Sequence, residues 1–291
     1  MPGTSSARTA RIRAPVAFDS AIATDVGKVR EKNEDSSLLI EDQGLFVVAD
    51  GMGGHNSGEI ASQICVESIK SFFESDSTTD VLETAFEAHK TRRQEGQRSR
   101  TYDEFRLWKA LEAANLHIYN TAKRYPQFRD MGTTVVAVQA VGNRAYVGWV
   151  GDSRVYRVRG ARIEQLTEDH SLANEYVKMK ILRKEDLPRF PYKNVIVRAL
   201  GLSERVKVDT FYKECKKGDR YILCSDGLTD LVGDDEIKDI VLAASSSEQA
   251  CQALVDTANS RGGVDNITVL VVHLFGSGKG RSSRSKPRRS T

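Results

Sequence analysis

The sequence predicts a layered α+β fold with helices packed outside antiparallel sheets. Two observations predict the layers. Helical periodicity comes in paired blocks, and between the blocks the apolar period drops to two, with Gly-containing turns. A third observation excludes a parallel doubly wound sheet: strands follow one another through short turns without intervening helices.

Taken in order, "FDSAIATDVGKVREKNEDSSLLI" and "GLFVVAD" read as strands broken by turns at residues 25–27 and 42–44. From Ser57 to about Phe73 the pattern is helical, with Ile60, Ile64, Ile69 and Phe72 among its apolar positions and Ser57 as the expected N-cap. Residues 80–90 and 104–124 are further helices. The intervening "KTRRQEGQRSRTYDE" is too polar to pack and is expected to be exposed. "TTVVAVQAVGNRAYVGWVGDSRVYRVRGARIEQLT" carries four strand-like runs, read as a meander of hairpins. Residues 171–197, with Pro188 and Pro191, are expected to be irregular. "DRYILCSD" and "NITVLVVHLF" are strands, and "GDDEIKDIVLAA" and "SEQACQALVDTANS" are helices.

Composition narrows the class. Of 291 residues, 40% are hydrophobic and 29% charged, which suits a packed domain. No apolar run approaches the roughly 18 residues of a membrane span. The four cysteines, Cys65, Cys215, Cys224 and Cys251, form no C-x-x-C pair, and four free thiols point to a reducing cytoplasm. None has Arg six positions on, so a cysteine-phosphatase signature is absent. The net charge of +3 hides a contrast. Residues 1–16 hold three Arg and residues 277–291 six Lys or Arg, with no acid in either; without those nine, 34 basic residues face 40 acidic ones. The reading is a disordered basic N-terminus (1–16), a folded domain (17–275) and a disordered basic tail (276–291). The tails read as solubilising rather than as a nucleic-acid contact.

Five segments place acids where apolar runs begin or end: Glu34 and Asp35, Asp50, Asp152, Asp226, and Asp265. An Asp-Gly pair alone is a turn signal. Carboxylates gathered in one place repel, and they stay charged only around a cation. All-oxygen donors without His or Cys suit magnesium or manganese.

The set "TDVGKVREKNED", "VVADGMGGHNSGEIAS", "MGTTVVAV", "GWVGDSRVYRVR", "LTEDHSL", "VIVRALG", "LCSDGLTD" and "DNITVLVV", in this order over residues 18–275, resembles the bacterial metal-dependent Ser/Thr protein phosphatases of the protein phosphatase 2C (PPM) family. The resemblance implies a four-layer α-β-β-α sandwich of two antiparallel sheets flanked by helix pairs, a catalytic domain over 17–275 with a flap at about 171–197, and a dinuclear Mn/Mg site at one end of the sandwich. Asp50 matches the bridging acid and Gly51 the glycine whose carbonyl binds the second ion. Asp226 and Asp265 match ligands of the first ion. Glu34, with Asp35 beside it, matches an acid holding the second. Asp152 with Asp226 matches a third, weaker ion site, and Arg30 the arginine that grips the substrate phosphate. The implied reaction is in-line attack of a metal-bridging hydroxide on phosphoserine or phosphothreonine, opposing a bacterial Ser/Thr kinase. Arg30 and Glu34, four apart, share a face if the segment is extended.

One position departs from the pattern. Met52 stands where better-known members have a His proposed as general acid. His55 is the candidate proton donor, with metal-bound water as the alternative. The rival reading of the whole chain is a non-catalytic phosphoprotein-binding pseudophosphatase. Expected partners are phosphoproteins and a kinase, without nucleic acid or a membrane span, and the chain is expected to be a monomer.

Overall fold

The computed structural model describes residues 17–54, 57–75, 78–91, 98–192 and 194–276. Both basic tails and His55 lie outside them. One sheet contains β1 (Ala17–Asp25), β11 (Ile267–Gly276), β10 (Arg220–Cys224), β7 (Arg154–Arg159) and β8 (Arg162–Gln165), in that spatial order. The other contains β2 (Asp35–Ile40), β3 (Leu45–Met52), β5 (Val135–Val141), β6 (Arg144–Val150) and β9 (Asp209–Glu214), with the two-residue β4 (Gly132–Thr133) paired to β3. Every pairing is antiparallel.

Strand alternation assigns each side chain to a layer boundary. Phe46 and Val48 of β3 face the other sheet, where they join Tyr221, Leu223, Leu270 and Val272. Leu45, Val47 and Ala49 face outward, against helices α1 (Ser57–Glu74) and α3 (Tyr102–Arg124). On the opposite side Ile222, Cys224, Val269 and Val271 meet the short α5 (Asp226–Thr229) and helices α6 (Asp234–Ala243) and α7 (Ser247–Ser260). Three apolar boundaries thus separate four layers, as expected. Each buried Leu, Ile, Val or Phe contributes roughly 1.5–3 kcal/mol before entropy is counted.

Several local expectations are corrected. The four runs after Thr133 are not one meander: β5–β6 and β7–β8 are hairpins in different sheets. Residues 151–153 cross between the sheets, so Asp152 lies in a crossover and not in a hairpin turn. Edge strand β9 had no expectation of its own. Residues 171–197 are less irregular than expected. They contain helix α4 (Leu172–Lys178), capped by Ser171 Oγ on the Asn174 N–H, and a 3-10 turn at Lys184–Arg189.

In α1 the buried line runs through Ala61, Cys65, Ile69 and Phe73, while Ile60, Ile64 and Phe72 pack at its margin. Ser57 is inside the helix, and its hydroxyl donates to Gly54 O (2.7 Å) instead of capping. Helix α2 (Thr78–Thr91) and α3 match the two expected blocks. Arg98 and Arg100, expected in an exposed loop, pack. Arg98 pairs with the buried Glu104, and Arg100 lies 4.4 Å over the Trp108 ring. A guanidinium stacks on aromatic faces while keeping its edge in water, so a polar string can still cover a core.

Candidate active site

Strand register brings the acidic ends together. Asp35 pairs with Asp50, Asp25 with Ile267, and Cys224 with Arg154. The ends of β1, β3, β6 and β10 and the starts of β2, β7 and β11 therefore converge at one edge of the sandwich. Glu34, Asp35, Asp50, Asp226 and Asp265 are half-buried there, and Asp152 is buried. A cavity of about 260 Å³ adjoins them, lined by Asp152, Asp226, Asp230, Asn174 and the Arg154–Asp169 pair.

Glycines allow this convergence. A Cβ on Gly51 would lie 2.1 Å from Gly58 O and 2.6 Å from Glu34 O, and one on Gly227 would lie 2.0 Å from Asn266 O. Three backbones meet where a side chain would hold them apart. Gly58, at the start of α1, leaves room for the Glu34 carboxylate: a Cβ there would lie 2.8 Å from Glu34 Cδ.

The segment holding Arg30 is a turn and not extended, so the shared-face argument for Arg30 and Glu34 does not apply. The turn is pinned by Asn266, whose Oδ1 accepts from the Glu34 N–H (2.8 Å) and whose Nδ2 donates to Val26 O (2.9 Å) and Lys32 O (2.8 Å). Arg30 is half-exposed, and its Nη2 donates to Asp265 Oδ2 at 2.8 Å. Asp50 is fixed by Thr134: the Asp50 N–H donates to Thr134 Oγ1 (3.1 Å), and the Thr134 N–H to Asp50 O (2.8 Å).

The carboxylates outweigh the cations beside them. Burial, and then Asp35, Asp226, Asp152 and Asp265, hold the Asp50 carboxyl well above the usual range. Burial pushes Asp35 up to about 7 against hydrogen bonds from Thr268 and Ser225. Burial and Asp226 push Asp152 up to about 7. Burial and Asp265 push Asp226 up to about 6, against the Arg30 charge. Burial also raises Glu34, opposed by Arg30. Asp35 Oδ1 and Asp152 Oδ1 are buried without a hydrogen-bond partner. Among the described residues, no three or more His, Cys, Asp and Glu side chains already form a closed metal-holding group. Arg30 holds Asp265 and Ser225 holds Asp35 instead.

The six acids singled out from the sequence therefore share one edge, whereas His55 is outside the described residues. Asn266, Gly58, Thr134 and Ser225 have no part in the sequence reading of the site. Asn266 follows Asp265 in "DNITVLVV", but an Asn in a turn carries no sign that it ties down a loop over 230 positions away. In the segment 171–197, Lys178 pairs with Glu168 and Glu175, and Arg183 with Asp186.

Residues 28–261 match the family model described as Protein phosphatase 2C. A serine/threonine phosphatase stp of Listeria welshimeri is 36% identical over 265 residues, covering 89% of this chain and 97% of its own. The crystal structure of the Mycobacterium tuberculosis serine/threonine phosphatase PstP/Ppp superposes with a TM-score of 0.75 at 32% identity, covering 88% of this chain and 98% of that one. A PstP catalytic domain in complex with two manganese ions superposes at 0.71, with 30% identity over 89% of this chain and 98% of that one. The pseudophosphatase reading gives way to an enzyme. Sharing both the fold and, over most of its length, the sequence of these enzymes, the chain belongs to the protein phosphatase 2C family of phosphoprotein phosphatases.

Proposed function

We propose that the chain is a Mn/Mg-dependent phosphatase of phosphoserine and phosphothreonine whose ions are held by Asp50, the Gly51 carbonyl, Asp226, Asp265 and Glu34. Asp35 adjoins them, and Asp152 with Asp226 forms a third, weaker position. One observation carries this reading: a carboxylate cluster at one edge of the sandwich with orphaned oxygens on Asp35 and Asp152. Such a cluster fits a hard divalent cation, because every donor is oxygen. Bound ions supply an activated water nucleophile at neutral pH and neutralise charge at phosphorus.

The chain's own groups supply the rest. Thr134 and the β2–β3 register hold Asp50 in place. Asn266 holds the turn that presents Arg30 and Glu34, and Gly58 leaves room for the Glu34 carboxylate. The Arg30 guanidinium stands at the rim, where its planar fork can grip the phosphate and meet charge that grows in the in-line transition state. Phosphoproteins made by a Ser/Thr kinase are the substrates, the free thiols suit the cytoplasm, and the chain works as a monomer. Among the described residues no helix is long and apolar enough to cross a membrane.

The test is turnover of para-nitrophenyl phosphate by metal-stripped protein. Activity is expected to vanish in chelator and to return with manganese, less with magnesium and not with calcium. Full activity in chelator would overturn the reading.

A further inference from the structure

His170 makes a two-point clasp on Gly151. Its backbone N–H donates to Gly151 O at 2.9 Å, and its ring Nδ1 accepts from the Gly151 N–H at 3.0 Å. A backbone N–H can only donate, so Nδ1 is the acceptor and the ring proton sits on Nε2. That nitrogen faces Asp209 Oδ2 at 3.0 Å, and Arg198 Nη1 donates to the same oxygen at 2.6 Å. Trp149 stacks on the ring, with centroids 5.9 Å apart at 15°. The ring is thereby held from three sides and is 2% exposed.

Gly151 depends on such a restraint. Its φ is +107°, and a Cβ would lie 2.6 Å from Thr134 Cβ, so only glycine fits and glycine imposes no conformation of its own. The next residue is Asp152, buried with its Oδ1 unpartnered. His170 also ties the crossover to the segment 171–197. Its carbonyl accepts from the Val197 N–H (2.9 Å), Leu172 N–H donates to Val195 O (2.8 Å), and Ser171 bridges to Ile196.

We propose that His170 is a positioning residue: it locks the Gly151–Ser153 crossover, and with it Asp152, to both roots of the 171–197 segment. The proposal rests on reading Asp152 as part of the cation site. It assigns the histidine no contact with substrate and no proton transfer. Its role is a neutral acceptor presented at a fixed point, and movement of the flap's roots reaches Asp152 through it.

Isosteric substitutions test this. In His170→Asn the amide oxygen can stand where Nδ1 accepts from Gly151. In His170→Gln the amide nitrogen can stand where Nε2–H meets Asp209. His170→Phe keeps the stack on Trp149 and loses both bonds. The Gly151 amide exchange rate, read by NMR in chelator, is expected to rise about tenfold or more in His170→Phe and His170→Gln and to stay near wild type in His170→Asn. With manganese, His170→Phe is expected to lower kcat on para-nitrophenyl phosphate about tenfold with KM within about threefold, and His170→Asn to recover most of it. In an Asp152→Asn background, His170→Phe is expected to cost less than about twofold, because the two act through one element. Recovery by Gln but not Asn would make the Asp209 network, a structural role, responsible and overturn the proposal. Additive losses in the double variant would overturn it too. If Asp152→Asn alone keeps wild-type turnover and manganese affinity, the cation-site reading of Asp152 fails and the proposal falls with it. The chelator exchange data then show separately whether the clasp exists.

Discussion

Strand β10 carries an acid just beyond each of its ends, one buried and one half-buried, and the two are treated oppositely. Before the strand, Asp219 is fully buried and fully answered. Arg159 grips it with Nε and Nη2, both at 2.6 Å, and the Lys216 N–H adds a third bond at 2.8 Å. Beyond the strand, Asp226 meets Asp50, Asp265, Asp230 and Asp152; of the cations that oppose them, Arg30 is half-exposed and Arg154 is committed to Asp169. One end is organised for stability by bidentate pairing. The other is left with unbalanced negative charge, which persists in a fold only when something outside the chain relieves it. A buried carboxylate by itself is therefore no signal of function. The absence of a built-in partner is.

Removing acids should separate the two ends. At the open end, Asp50→Asn or Asp226→Asn is expected to lower turnover by about three orders of magnitude, while the melting temperature in chelator holds or rises because repulsion is relieved. Steady-state kinetics and calorimetry on the same samples decide it; near-normal turnover in both variants would refute the open end as the active site. At the closed end, Asp219→Asn leaves Arg159 and the Lys216 N–H poorly matched. A loss of about 3 kcal/mol of stability is expected, the low end for a broken buried pair because Arg159 keeps some water. Urea unfolding measures it, and kcat per folded molecule should not change.

A pH series sharpens the contrast. In the metal-free protein Asp35 and Asp152 are held near 7 and Asp226 near 6, above their unfolded values. Between about pH 4 and 7 the folded state then binds more protons than the unfolded state, so stability falls as pH rises. A carboxyl whose pKa is one higher in the folded than in the unfolded chain accounts for about 1.4 kcal/mol of that fall. Melting in chelator is expected to weaken from pH 5 to 7.5, and manganese to flatten or reverse that slope. A melting curve in chelator that strengthens over this range would contradict the uncompensated cluster.

The smallest effect concerns Arg30, the cation at the rim of the open end. Arg30→Ala is expected to lower kcat/KM on phosphopeptides about tenfold, or about 1.4 kcal/mol, through both parameters. Arg30→Lys should restore only part, since a point charge lacks the fork. Manganese affinity should not fall, because the arginine competes for Asp265 instead of helping to hold the ion. A kcat/KM within about twofold of wild type would remove Arg30 from the phosphate clamp.

Much of this was readable in the chain alone. Period-two and helical patterns are local properties, so strands such as β3, β10 and β11 and helices α2, α3, α6 and α7 appear near their expected positions. The acids at strand ends were visible for the same reason: a polar residue closing an apolar run marks the edge of a layer. Sheet membership was not visible. β6 and β7 are separated by three residues, yet belong to different sheets, because pairing depends on distant partners such as Cys224 for Arg154. Edge strand β9 and helix α4 lacked a local pattern strong enough to be seen. The tie from Asn266 to the Arg30 turn and the clasp of His170 on Gly151 are likewise contacts between segments remote in sequence. Residue type and spacing determined which groups could do the chemistry. Only the packing of two sheets at one edge decided which carboxylates were left without partners, since that is a property of the space between segments and of no segment alone.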